Sequence, residues 1–261
     1  EWVAMAGARV VPVPYDTPLP QLTELFGKLN GFLFTGGELS IRPNTTYYLA
    51  AKKIFELSKE AMDKRGEVVP LWGTCMGFQM LCVLGAGDNY TVLEHGTFDS
   101  DNLSLPLDLT PQASSSKMFD GIPPSTLAIY QKEPVTTNLH HDGVTPATFK
   151  GNEQLASFYN VLSTNVDRKG KGFVSTIEGQ NYPVYATQWN PERNSFEWVQ
   201  GERINHSRDA VVTGQWMANV FVEQARKNSH RFGSQAELER VLIYRHQPTY
   251  LGDSVQIYLF N

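Results

Sequence analysis

The sequence predicts an α/β fold, a mostly parallel central sheet with helices on both faces. Three observations carry the prediction. In the N-terminal third, short apolar runs alternate with stretches whose apolar residues recur at helical spacing, and a β-α-β-α alternation of this kind implies parallel strands covered by helices. Residues 68–78 (VVPLWGTCMGF) run from an apolar strand straight into a helical pattern through two glycines, a sharp strand-to-helix joint. At 261 residues, with 41% hydrophobic and 19% charged residues, the chain suits one α/β domain with a large core and needs no staples, so residues 1–261 are read as a single domain.

Taken in order, residues 1–5 (EWVAM) read as the last turns of a helix that feeds residues 8–13. There is no initiator methionine and no signal-peptide pattern, so the expectation is a chain numbered from inside a longer protein, with its first strand lacking in this numbering. An absent strand would leave a sheet edge open. Residues 10–13 read as a strand, 19–29 as a short helix and 31–34 as a buried strand that ends at Gly36-Gly37. Ala50, Ile54, Leu57 and Ala61 fall at i, i+4, i+7 and i+11, which predicts an amphipathic helix over 45–64. Residues 68–72 form a short strand and 76–84 a helix with Met76, Met80, Leu81 and Leu84 on its apolar face. The stretch 91–129 is turn-rich, with 103–107 alternating like an edge strand and a short helix expected over 114–119. Residues 173–177 and 184–188 read as an antiparallel pair. The second of these belongs to a strand, 182–189, that runs into Asn190-Pro191-Glu192. A long helix follows over 207–228 with Ser207 as its N-cap, and the tail from Gln235 adds one helix and an extended end.

Several function classes drop out on composition. A net charge of −5 leaves no basic footprint for nucleic acid. No apolar run reaches the eighteen or so residues of a membrane span. No metal-ligand spacing and no glycine-rich nucleotide motif occurs, so neither a metal nor a nucleotide site is expected. Cys75 and Cys82, the two cysteines, lie seven apart on one predicted helix, too far to bridge, and Cys82 reads as a small buried apolar residue.

Cys75 reads differently. Flanked by Gly73 and Gly77 as G-x-C-x-G, it has the form of a nucleophile elbow with sulfur in place of a serine oxygen. The glycines permit close approach, and a helix N-terminus aimed at the sulfur favours the thiolate. A buried structural cysteine beside a turn is the plain alternative, and the strand–Gly-x-Cys-x-Gly–helix context argues against it. Asn190 projects from a strand end, where α/β folds place ligands. Gly36-Gly37 follows another strand and leaves backbone N–H groups uncovered, as an oxyanion hole requires, although Gly-Gly is also a common turn.

Together these features resemble the class I glutamine amidotransferase-like hydrolases, of flavodoxin-like fold, and within them the gamma-glutamyl hydrolases. The resemblance covers nearly the whole chain: residues 6–13 (AGARVVPV), 30–37 (NGFLFTGG), the elbow, 133–140 (EPVTTNLH), 158–165 (FYNVLSTN), 182–189 (YPVYATQW) and 223–228 (EQARKN). It implies hydrolysis of γ-glutamyl amides of folate or antifolate poly-γ-glutamates through a cysteine thioester, with no cofactor. It implies Cys75 as nucleophile, Glu192 as the orienting acid, the N–H groups of Gly36, Gly37 and Met76 as the oxyanion hole, and His140 near the substrate. It also implies lysosomal or secreted localisation, and a homodimer by analogy with family members that are often dimers. Four N-x-[ST] sequons, at Asn44, Asn89, Asn102 and Asn205, agree with a secretory route.

One departure falls on the catalytic base: the family has histidine where this chain has Asn190. An amide does not titrate near neutral pH, so it can neither take the thiol proton nor protonate a leaving amine. An inactive or strongly impaired chain is therefore expected. Asn190 fits either a deliberate substitution made to trap substrate or a natural homologue that has lost turnover. Two other readings stay open, a non-catalytic binder of γ-glutamyl ligands and a glutaminase subunit of an amidotransferase.

Overall fold

The computed structural model describes residues 1–250 and 256–260, so part of the predicted extended tail lies outside the described residues. The strands are β1 Phe32–Phe34, β2 Leu71–Thr74, β3 Leu103–Leu105, β4 Asp108–Leu109, β5 Thr136–Asn138, β6 Tyr159–Val166, β7 Gly172–Gly179, β8 Val184–Thr187, β9 Pro248–Thr249 and β10 Ile257–Tyr258. The helices are α1 Trp2–Met5, α2 Leu19–Phe26, α3 Thr46–Arg65, α4 Met76–Gly85, α5 Pro124–Lys132, α6 Pro146–Gly151, α7 Glu153–Phe158, α8 Arg193–Phe196, α9 Arg208–Ala225 and α10 Gln235–Val241.

Six strands form the central sheet in the order β1-β2-β8-β7-β6-β4. The α/β architecture matches the expectation, with a more mixed sheet. The β1-β2 and β2-β8 pairings are parallel, whereas β8-β7, β7-β6 and β6-β4 are antiparallel. β1 and β2 are joined by a helical crossover, as a parallel pair requires; hairpins join β6 to β7 and β7 to β8, whereas β4 reaches β6 through a long connection. Helices cover both faces. One core packs Leu22, Ile54, Phe55, Phe78 and Leu81 from α2, α3 and α4 against the sheet. The other packs Trp2, Tyr130, Met217 and Phe221 from α1, α5 and α9 around Trp72, Tyr185 and Trp189.

Three local expectations change. Residues 10–13 join no ladder, because an extended run becomes a strand only when a neighbour pairs with it. The helix expected over 114–119 is a 3₁₀ turn at Pro111–Ser115, held by short-range bonds such as Ser114 Oγ to the Pro111 carbonyl. The edge strand over 103–107 is shorter and forms a separate two-stranded sheet with β5.

β1 is the sheet's edge. Its Phe32 N–H donates to the Pro70 carbonyl beside β2. By the alternation of a parallel ladder, the Leu33 N–H and C=O face the other way. A cavity of about 1270 Å³ borders β1, lined by Leu33, Phe34, Ile54 and residues 10–13 among others. The same cavity reaches Gly36, Gly37 and Met76. Among the described residues β1 ends the six-stranded sheet.

Candidate active site

The elbow forms because two glycines allow it. A Cβ on Gly73 would lie 2.5 Å from the Gly77 carbonyl oxygen, and one on Gly77 would lie 2.1 Å from the Phe34 carbonyl oxygen. Only glycine lets α4 start this close to β1 and β2. Between them Cys75 takes φ 53°, a conformation that non-glycine residues rarely adopt and that clusters at functional sites. Its N–H donates to the Thr187 carbonyl at 2.9 Å, which ties the nucleophile position to β8.

The same strand β8 delivers Asn190. The Asn190 N–H donates to the Thr137 carbonyl at 2.8 Å, locking the 187–190 segment to β5 and the loop after it. Its Nδ2 donates to Glu192 Oε1 at 3.0 Å. A Cβ built on Gly36 would lie 3.3 Å from Asn190 Nδ2 and 3.4 Å from Cys75 Cβ, so the fold brings Gly36, Cys75 and Asn190 to one point. Gly37 (φ 151°) lies against the Met76 side chain, and the Met76 N–H faces the sulfur. From behind, α9 presses Gly214 against Pro191, where an added Cβ would lie 2.5 Å from the Pro191 carbonyl oxygen.

Burial dominates the electrostatics. Cys75 is only 8% exposed, and its thiol reaches the Leu139 carbonyl at 3.8 Å. Loss of solvent, followed by the negative charge of Glu192, pushes the thiol pKa up to about 12, while the Met76 N–H opposes this more weakly. The helix terminus therefore acts in the expected direction and is outweighed. Desolvation also raises the Glu192 carboxyl, and the Asn190 bond works against that rise. His140 is 3% exposed and wedged against Phe98 and Phe173, with Nδ1 bonded to the Asp142 carbonyl. Burial drops its pKa to about 4, so it is a neutral imidazole in a packed interior.

Four residues near the thiol escaped the sequence reading. Gln79, one turn beyond Cys75 on α4, donates to the Asp142 carbonyl at 3.0 Å, and its position at i+4 was the available signal. Leu139, Asp142 and Arg193 carried no local signal, because long-range pairing brings them there. Among the sequons, the Asn102 and Asn205 amides donate to the Gly201 and Pro134 carbonyls. Asn44 and Asn89 are exposed. Among the described residues no cluster of three metal-ligating side chains occurs, and no helix is long and apolar enough to cross a membrane.

The peptidase C26 family model matches residues 1–192. The chain belongs to the peptidase C26 family. Its relatives include the human gamma-glutamyl hydrolase, 39% identical over 100% of this chain and 81% of the relative. Gamma-glutamyl hydrolase B of Dictyostelium discoideum is 36% identical over 100% and 75%, and a probable gamma-glutamyl hydrolase 3 of Arabidopsis thaliana is 36% identical over 98% and 71%. This C26 chain therefore comes from a family of γ-glutamyl-bond hydrolases. In fold it is similar to the glutaminase domain of Trypanosoma brucei CTPS, with a TM-score of 0.54 at 14% identity, covering 89% of this chain and 88% of that one.

Proposed function

We propose that this chain binds γ-glutamyl amides of folate or antifolate poly-γ-glutamates in the cleft at Cys75 and turns them over slowly or not at all. In the complete reaction the Cys75 thiolate attacks the γ-carbonyl, and backbone N–H groups of Met76 and the Gly36-Gly37 loop hold the oxyanion. The C–N bond then breaks as the amine takes a proton, and water cleaves the thioester. In this reading the missing role is that of proton transfer. One observation carries the reading. The Glu192 carboxylate is bonded by the Asn190 amide at 3.0 Å, where the family's triad has an imidazole, beside a thiol that burial keeps protonated.

The test restores the base. Asn190→His is expected to raise hydrolysis of a folate γ-polyglutamate by at least about 10³-fold, the lower range for loss of a triad member. Product chromatography with the chain as written and with the variant measures it. A rise below about tenfold would defeat the proposal that the missing imidazole limits turnover.

A further inference from the structure

We infer that Arg42 is the residue that reads the free α-carboxylate of a γ-glutamyl ligand. The inference rests on the reading of the cleft given above. The Arg42 guanidinium lies over the Tyr90 ring, 4.8 Å from its centroid. Tyr90 in turn stacks on His95 at 4.7 Å between centroids. His95 Nδ1 is 2.7 Å from Asp142 Oδ2, and the Gly96 N–H donates to the other oxygen of that carboxylate at 2.7 Å. The Asp142 carbonyl accepts from Gln79 of the nucleophile helix and from His140. The stack is thus fastened at one end to the loop whose Leu139 carbonyl meets the Cys75 thiol. At its other end, Arg42 follows the Gly36-Gly37 loop by five residues, in a turn closed by Thr45 Oγ1 on the Ser40 and Arg42 carbonyls. Both chain segments that flank the thiol converge on this one cation.

Charge accounting separates Arg42 from the basic residues of the 168–171 and 193 loops. Arg193 lies 3.6 Å from both Glu197 and Glu202, and Lys171 is paired with Glu94. Arg168 and Lys169 face Asp99. Among the described residues Arg42 has no acidic partner. The Asp142 carboxylate is already engaged by His95 and Gly96. A guanidinium over an aromatic ring still has N–H groups to offer, and its fork matches a carboxylate. A ligand with one carboxylate per γ-linked residue, bound by a protein of net charge −5, needs such a local cation.

The experiment compares two probes on the chain as written: a folate γ-linked diglutamate and the same molecule with its α-carboxylates converted to amides. The unmodified chain is expected to bind the acid at least about tenfold more tightly, with the preference shrinking at high salt. Arg42→Gln should weaken acid binding to the level of the amide and leave amide binding unchanged, and Arg42→Lys should fall between. An unchanged acid-to-amide ratio in Arg42→Gln overturns the assignment, as does an equal loss for both probes, which marks Arg42 as a mere clamp on Tyr90. If neither probe binds and Asn190→His also gains no hydrolysis, the reading of the cleft fails and the assignment fails with it. If Asn190→His hydrolyses the acid while the ratio is insensitive to Arg42, the assignment alone fails.

Discussion

Cys75 sits at φ 53° with its thiol against a backbone carbonyl and little of its surface exposed. Because burial holds its pKa near 12, the thiolate fraction grows about tenfold with each pH unit across the whole range from neutral to pH 10. Labelling by iodoacetamide is expected to climb steadily over that range, at Cys75 before the fully buried Cys82, and Asn190→His should move the rise to lower pH. A plateau near neutrality in the unmodified chain, or earlier labelling of Cys82, would contradict this geometry. His140 gives a second expectation. Its pKa falls from 6.5 to about 4 on folding, so the unfolded chain takes up a proton that the folded chain refuses. Stability contributed above pH 6.5 is lost as pH drops toward 4, by about 3 kcal/mol at full effect. His140→Phe should flatten that acid limb in urea melts taken from pH 7 to pH 4, and an unaltered limb would place the acid sensitivity elsewhere. The burial of both residues is a tertiary property. A helix terminus can be read from local pattern, but the loop that buries the thiol and the two phenylalanines that enclose His140 arrive from distant segments.

The elbow is an element-scale object, and its glycines show why. A methyl group on Gly77 would meet the Phe34 carbonyl oxygen at 2.1 Å, and a backbone oxygen of the sheet cannot step aside. Gly77→Ala is expected to cost at least about 3 kcal/mol, while Gly151→Ala, at the end of α6 with nothing within 4 Å of the new methyl, should stay within about 0.5 kcal/mol. Equal melting temperatures for the two variants would refute the close packing of α4 on β1. Elements of this kind were legible in advance because strand, turn and helix adjoin in sequence. The helix over 45–64, the α4 helix and the long helix from Ser207, whose Oγ caps the Ala210 N–H, all stand within a few residues of their expected bounds. The antiparallel half was harder to read. β6 pairs with β7 through a register shift near Ser163, and β4 is two residues long, so neither shows a clean period-two pattern. The α5 helix hides inside a stretch that reads as turns because prolines open it.

At the scale of the whole molecule, the two halves of the candidate site hang from strands of unequal security. Cys75 follows β2, which is paired on both sides, and its own N–H is bonded to Thr187. Gly36-Gly37 follows β1, which is paired on one side and bordered by a cavity of about 1270 Å³. Few buried contacts on one flank lower the free energy of local opening. Amide exchange at Phe32, whose N–H is bonded to the Pro70 carbonyl, is therefore expected to run at least about a hundredfold faster than at Cys75, and matching protection at the two positions would show that β1 is as firmly held as β2. This inequality turns a structural detail into a population. Were β1 to swing away, the thiol would stay in register while the glycine loop left it, and under the proposed function only the closed fraction of the chains would be competent. Apparent affinity is the intrinsic affinity multiplied by that fraction. Urea at concentrations well below global unfolding should then weaken γ-glutamyl binding while the fluorescence of buried Trp72 and Trp189 stays native.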